Sequence, residues 1–109
     1  MSIYQKFCTE ITDDSGALLD LKLHYPDNFN FGYDVVDAIA EASPEKRAMV
    51  WCNVENEEHI FTFADIRRRS NEMANVFQKA GITRGGRVKL VLKRHYGYWF
   101  AVIRLHTLG

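Results

Sequence analysis

The side chains able to do chemistry in this sequence are few and scattered. The histidines are His24, His59, His95 and His106. His95 and His106 can share a helix face, yet at the helical rise they stand about 16 Å apart, too far to hold one metal ion. No C-x-x-C or H-x-x-x-H spacing supplies a ligand set. Asp13-Asp14 and Glu57-Glu58 are adjacent carboxylates in turns, where neighbouring side chains diverge. They read as solvated turn residues rather than as a general acid and base. No G-x-S-x-G elbow is present, and neither Cys8 nor Cys52 is placed to pair with a histidine.

Two basic stretches invite a binding role. Arg84-Gly85-Gly86-Arg87 has the composition of a phosphate cradle, but such cradles follow a strand and open a helix, so that free N–H groups point at the anion. This stretch precedes a strand and reads as a plain turn. Arg67-Arg68-Arg69, and Lys93-Arg94-His95-Tyr96 with Trp99, combine cations and aromatics as nucleic-acid surfaces do. The whole chain, however, carries 14 basic and 14 acidic side chains. Nucleic acid and anionic membranes both favour a basic excess, so neither is an expected partner. The arginines are expected on a solvated helix face and the aromatics in the core.

The elements that would position these residues are those of one small domain. The chain has 109 residues, 47% hydrophobic and 13% aromatic, enough for a core but a small one. Two cysteines make no disulfide framework, so reduced thiols are expected. The stretch through Asp14 has no apolar signal core, and no later run could span a bilayer. A cytoplasmic protein is the expectation.

Residues 1–33 read as an N-terminal extension. Ile3, Tyr4, Phe7 and Ile11 fall at helical spacing, followed by turns at Asp13-Asp14-Ser15-Gly16 and Pro26-Asp27-Asn28. From Asp34 the signals sharpen. Asp34 can cap a helix with Val36, Ile39 and Ala40 inward, stopped by Ser43-Pro44. Residues 48–54 read as a buried strand, and Glu55-Asn56-Glu57-Glu58 as a turn into a return strand through Ile60 and Phe61. Thr62 and Asp65 form a capping box for a helix over residues 63–80. Phe63, Ile66, Met73, Ala74, Phe77 and Ala80 share its inner face, and Gly81 ends it. Val88, Leu90, Val91 and Leu92 make a further buried strand. Tyr96, Trp99, Phe100 and Ile103 then define the inner face of a last helix. The order α-β-β-α-β-α predicts an α/β fold with a mixed, partly parallel sheet covered by helices.

Several of these segments carry a family likeness. Phe61-Thr62-Phe63-Ala64-Asp65-Ile66, followed by Arg69-Ser70-Asn71-Glu72-Met73-Ala74, resembles the first core motif of adenylate-forming enzymes. Ala80-Gly81-Ile82 with Arg84-Gly85-Gly86-Arg87-Val88 is similar to the family's step into the next strand. Tyr98-Trp99-Phe100-Ala101 and Leu105-His106-Thr107-Leu108-Gly109 resemble its following helix. Asn28-Phe29-Asn30-Phe31-Gly32-Tyr33-Asp34-Val35-Val36-Asp37 resembles the opening helix of AMP-forming acyl-CoA synthetases, nearest the acetyl and medium-chain types. Three positions depart from the pattern. Gly86 stands where aspartate is usual, Gly97 where glutamate is common, and Arg104 where a small or apolar residue is expected.

The resemblance implies that residues 34–109 begin the AMP-binding large N-terminal domain of a longer ligase. Such an enzyme activates a short- or medium-chain carboxylic acid with ATP and magnesium, then passes the acyl group to coenzyme A. The phosphate loop, adenine motif, ribose-binding aspartate and catalytic lysine of that family have no counterpart here. No catalytic, cofactor-binding or metal-binding residue is therefore assigned, and the expected partner is the rest of the parent enzyme. A homodimer of the segment is a further expectation, because cut sheet edges and apolar faces associate. The alternative is a stand-alone, non-catalytic interaction or regulatory module derived from the same family.

Overall fold

A tight turn decides how the N-terminal third folds. The computed structural model describes residues 2–109. Ile3–Lys6 makes a short 3-10 helix, and the chain enters β1 (Cys8–Thr12) and β2 (Leu18–Leu23), which pair antiparallel. The helix expected through Ile3, Tyr4, Phe7 and Ile11 is thus corrected to one turn and a strand. The cause lies just beyond it. Asp13 Oδ1 accepts from the N–H groups of Ser15 and Ala17 at 2.8 and 3.0 Å and from the Ser15 hydroxyl at 2.6 Å. Gly16 takes φ +84°, which its lack of a Cβ permits. That reversal hands Ile11 to a ladder.

Asn30, rather than Asp34, starts the next helix. Its Oδ1 accepts from the N–H groups of Gly32 and Tyr33 at 3.0 and 3.3 Å, while Asp34 Oδ2 accepts from the Asn30 N–H at 2.7 Å. Asp34, expected as the cap, supplies the reciprocal half of a cap four residues earlier. A wide π-type turn over Gly32–Asp37 continues as α1 (Ala38–Ala42) and stops before Pro44. Val36 and Ala40 are buried, as the inward stripe requires.

β3 (Arg47–Cys52) and β4 (Glu58–Thr62) form a second antiparallel hairpin. Asn53 Oδ1 holds its turn by accepting from Glu55 and Glu57 N–H, both at 3.0 Å, and Asn56 takes φ +62°. Met49, Trp51, His59 and Phe61 share one face, since Met49 pairs with Phe61 and Trp51 with His59. On the other face Val50 and Ile60 stand half exposed. The first strand, expected to be buried throughout, is covered on one side only.

α2 (Phe63–Lys79) begins and ends where its sequence signals lie. The Thr62 N–H donates to Asp65 Oδ2 at 3.0 Å, and the Asp65 N–H donates to Thr62 Oγ1 at 3.2 Å. Gly81 follows at φ +81°. Ile66 and Phe77 are buried, and Phe63, Met73 and Ala74 are partly so, but Ala80 is exposed.

Residues 88–92 depart from expectation. They form no strand, and Val88, Val91 and Leu92 are 38, 80 and 46% exposed. A strand exists only beside a partner backbone, and none among the described residues lies next to this one. For the same reason no parallel pairing forms: both two-stranded sheets are antiparallel.

α3 (Gly97–Leu108) closes the core, in which Val36, Phe61, Ile66 and Phe100 meet, flanked by Ala48, Met49, Phe63, Tyr96 and Ile103. Its buried residues are Phe100, Ala101, Arg104 and Thr107, so the inner face is rotated from the expected one and Trp99 is 53% exposed. No helix among the described residues is long and apolar enough to cross a membrane.

Candidate functional site

The seam between α2 and α3 explains why α3 is rotated. Arg104 is 5% exposed, although it carries a charge. Its Nε donates to the Ser70 carbonyl at 3.1 Å, and its Nη2 donates to Ser70 Oγ at 3.4 Å and to Asn71 Oδ1. The guanidinium carbon lies 6.0 Å from the centre of the Tyr33 ring, at the outer reach of a cation–π contact. Among the described residues no carboxylate pairs with it. A buried guanidinium is tolerated when its donors are used, and here Ser70 and Asn71 of α2 use them. An apolar face led by Trp99 therefore yields to a mixed one that places Arg104 inside.

Two further contacts fix the seam. Gly32 touches α3 so closely that an added Cβ would collide with Thr107 Oγ1 and sit 3.2 Å from the Ile103 carbonyl. The Asn30 amide donates to the carbonyls of His106 and Thr107 at 3.2 and 3.1 Å. One asparagine thus caps the start of one helix and the end of another. The sequence signal was Asn30 with Asp34 four residues on, but its second role depends on a contact across more than seventy residues.

The chemically able side chains do not converge. His24 bonds Thr9 at 2.9 Å, His95 Nδ1 accepts from the Gly97 N–H at 3.0 Å, and His106 Nδ1 donates to the Val102 carbonyl at 2.8 Å. His59 packs against Trp51, Phe61 and Tyr96. No group of three or more His, Cys, Asp or Glu among the described residues is placed to hold a metal ion. Cys8 and Cys52 are free. Asp13 and Glu57 belong to turns; Ser15 Oγ–H, then the Ala17 and Ser15 N–H groups, hold the Asp13 carboxyl below its ordinary range. In the Arg84-Gly85-Gly86 turn, the Gly85 N–H donates to the Gly109 carbonyl at 3.2 Å and the Gly86 N–H to Thr83 at 3.0 Å. Both are occupied internally, so this turn offers neither N–H to a phosphate. A Cβ at Gly86 would come 2.9 Å from the Thr83 carbonyl, so an aspartate there would strain this turn. Gly97 opens α3 rather than lying inside it. Arg67, Arg68 and Arg69 are about half exposed and pair with Asp37, Asp65 and Glu72 at 3.2–3.9 Å, a solvated helix face as expected.

What the surface does offer is an apolar groove. Val36, Met49, Phe63, Ile66, Trp99 and Ile103 line a cavity of about 600 Å³, with His106 at its margin. No carboxylate lines it. Trp51 lies outside it: its Nε1 donates to the Arg94 carbonyl at 2.7 Å and its ring meets Tyr96 edge-on at 5.1 Å.

The described residues thus form a helix-covered hairpin with an open apolar groove. Comparison with known proteins says what the chain is similar to. An acyl-coenzyme A synthetase of Homo sapiens, named ACSM3, mitochondrial, is 34% identical over 96 residues, covering 83% of this chain and 16% of the human protein. ACSM4, mitochondrial, of Rattus norvegicus is 34% identical over 103 residues, covering 89% of this chain and 18% of its own length. Acetyl-coenzyme A synthetase 2 of Candida albicans is 33% identical over 82 residues, covering 73% and 12%. The curated relatives are thus acyl- and acetyl-coenzyme A synthetases, and the chain spans less than a fifth of their length. No protein-family model matches it.

Proposed function

We propose that this chain is scaffold from the large N-terminal domain of an AMP-forming acyl-coenzyme A synthetase, one that acts on a short- or medium-chain carboxylic acid. ATP, magnesium and coenzyme A belong to that parent enzyme, and the 109 residues alone are catalytically silent. The observation that carries this reading is a likeness that covers most of this chain and only 12–18% of its relatives. The test is pyrophosphate release with ATP, magnesium and acetate, butyrate or octanoate. The chain alone is expected to show no turnover, and the polypeptide extended by its in-frame downstream sequence is expected to show it. Turnover by the 109 residues would overturn the reading.

A second reading, a stand-alone interaction module, is favoured by the open groove. A stop codon with no downstream phosphate loop would select it. We place the protein in the cytoplasm on its free thiols, whereas two of the relatives are named mitochondrial. A fluorescent fusion to the full open reading frame distinguishes the compartments.

A further inference from the structure

The first turn of α3 is tied down by a histidine. A helix leaves its first N–H groups without intrahelical partners, and here three of them are met in turn. The Gly97 N–H donates to His95 Nδ1 at 3.0 Å, the Tyr98 N–H to the His95 carbonyl at 3.1 Å, and the Trp99 N–H to the Tyr96 carbonyl at 3.1 Å. Of these acceptors, only the ring nitrogen can take up a proton. Glycine at position 97 lets the ring lie this close, since a Cβ there would stand 3.0 Å from Nδ1. The residue before the histidine is strained. Arg94 sits at φ +22°, which residues with a side chain rarely adopt, and its carbonyl accepts from Trp51 Nε1 at 2.7 Å. The Trp51 ring of β3 faces His95 at 6.2 Å, and the adjoining Tyr96 ring faces it at 4.2 Å. His59 of β4 reaches the same two rings, 5.6 Å from Trp51 and 5.0 Å from Tyr96, while Glu58 lies on the opposite face of the hairpin. Lys93 and Arg94 precede His95 in the chain, and among the described residues it makes no ion pair.

We propose that His95 is a pH-sensitive latch on the start of α3. Its neutral ring, with the proton on Nε2, accepts from Gly97 and holds the turn. Histidine is the side chain that gains a proton between about pH 8 and 5. That proton goes to Nδ1, which then has no lone pair to offer, and the Gly97 N–H loses its acceptor. The imidazolium also meets the positive end of the helix, beside Lys93 and Arg94, all adverse to a further cation. The faces of Trp51 and Tyr96 attract a cation, so they give the protonated ring a place to turn to. The effect reaches beyond one turn because Tyr96 links Trp51 of the hairpin to Phe61 and Phe100 of the core, at 5.1, 5.2 and 6.0 Å. Acid thus loosens the joint between the hairpin and α3, and the strained Arg94 is free to relax. This inference does not depend on which enzyme family the chain comes from.

NMR of the full chain from about pH 8 to 5 tests it. At the upper end, ring nitrogen signals should show His95 protonated at Nε2 and bare at Nδ1. Hydrogen-exchange protection of the Gly97 amide, corrected for the intrinsic effect of pH, should fall as the His95 ring gains its second proton. In His95→Asn the Oδ1 still accepts but does not titrate, so protection should stay level. In His59→Asn the fall should persist, which assigns it to His95 rather than to the ring across Tyr96. A neutral His95 with its proton on Nδ1 overturns the proposal. So does protection that is indifferent to pH, that falls equally in His95→Asn, or whose fall disappears in His59→Asn.

Discussion

Replacing Arg104 with leucine would take its donors away from a carbonyl, a hydroxyl and an amide oxygen in a seam where Ser70 is wholly buried. Unsatisfied buried acceptors cost about 1–3 kcal/mol, so Arg104→Leu should lower stability by that order in a denaturant melt, despite the apolar gain. A more stable variant would show that the seam does not depend on these bonds. Asp65 carries a different prediction. The Thr62 N–H lowers its carboxyl below the ordinary value, helped by the Thr62 hydroxyl and Arg68 and opposed by partial burial. A group depressed in the folded state adds stability above its unfolded value, near pH 4, and loses it as pH falls through the lower folded value. Melts of the wild type should therefore weaken below about pH 4, and Asp65→Asn, which accepts but does not titrate, should flatten part of that fall. Thr62→Ala should cost about 1 kcal/mol at neutral pH.

At the scale of elements, what could be read from the sequence was what the chain decides locally. α2 has its capping box, stripe and terminal glycine within one stretch, and all three act in the structure. The turns at Gly16 and Asn56 were legible for the same reason. Residues 88–92 were not, because β-branched and aliphatic side chains suit a strand but cannot supply its hydrogen-bonding neighbour. The inner face of α3 was hidden too, since only the three-dimensional approach of Ser70 and Asn71 makes a buried arginine tolerable. The absence of an assigned catalytic residue was a reading of missing motifs, whereas the groove draws its lining from four separate elements and has no local signature. Two substitutions separate these cases. Ile66 is 4% exposed, so Ile66→Ala should cost about 2–5 kcal/mol. Val91 is 80% exposed, and Val91→Ala should shift a melt by less than about 0.5 kcal/mol. A large loss at Val91 would mean that the strand forms in solution.

The whole molecule is more extended than its length requires. Its radius of gyration is 16.4 Å, against about 13 Å for a compact chain of this size. The β1–β2 ribbon and the β3–β4 hairpin form two separate sheets, and each leaves apolar side chains exposed. An isolated two-stranded ribbon is marginal in water, so β1 and β2 should open well before the body around Phe100.

The two tryptophans divide this picture optically. Trp51 is partly sheltered, with its indole N–H held by the Arg94 carbonyl, while Trp99 stands half in solvent on the rim of the groove. Emission from Trp99 should lie toward the red and be quenched readily by iodide, and emission from Trp51 should resist both. Whatever covers the groove must shield Trp99 first. A blue shift and lost quenching in a Trp51→Phe background would therefore time that event, with no label attached.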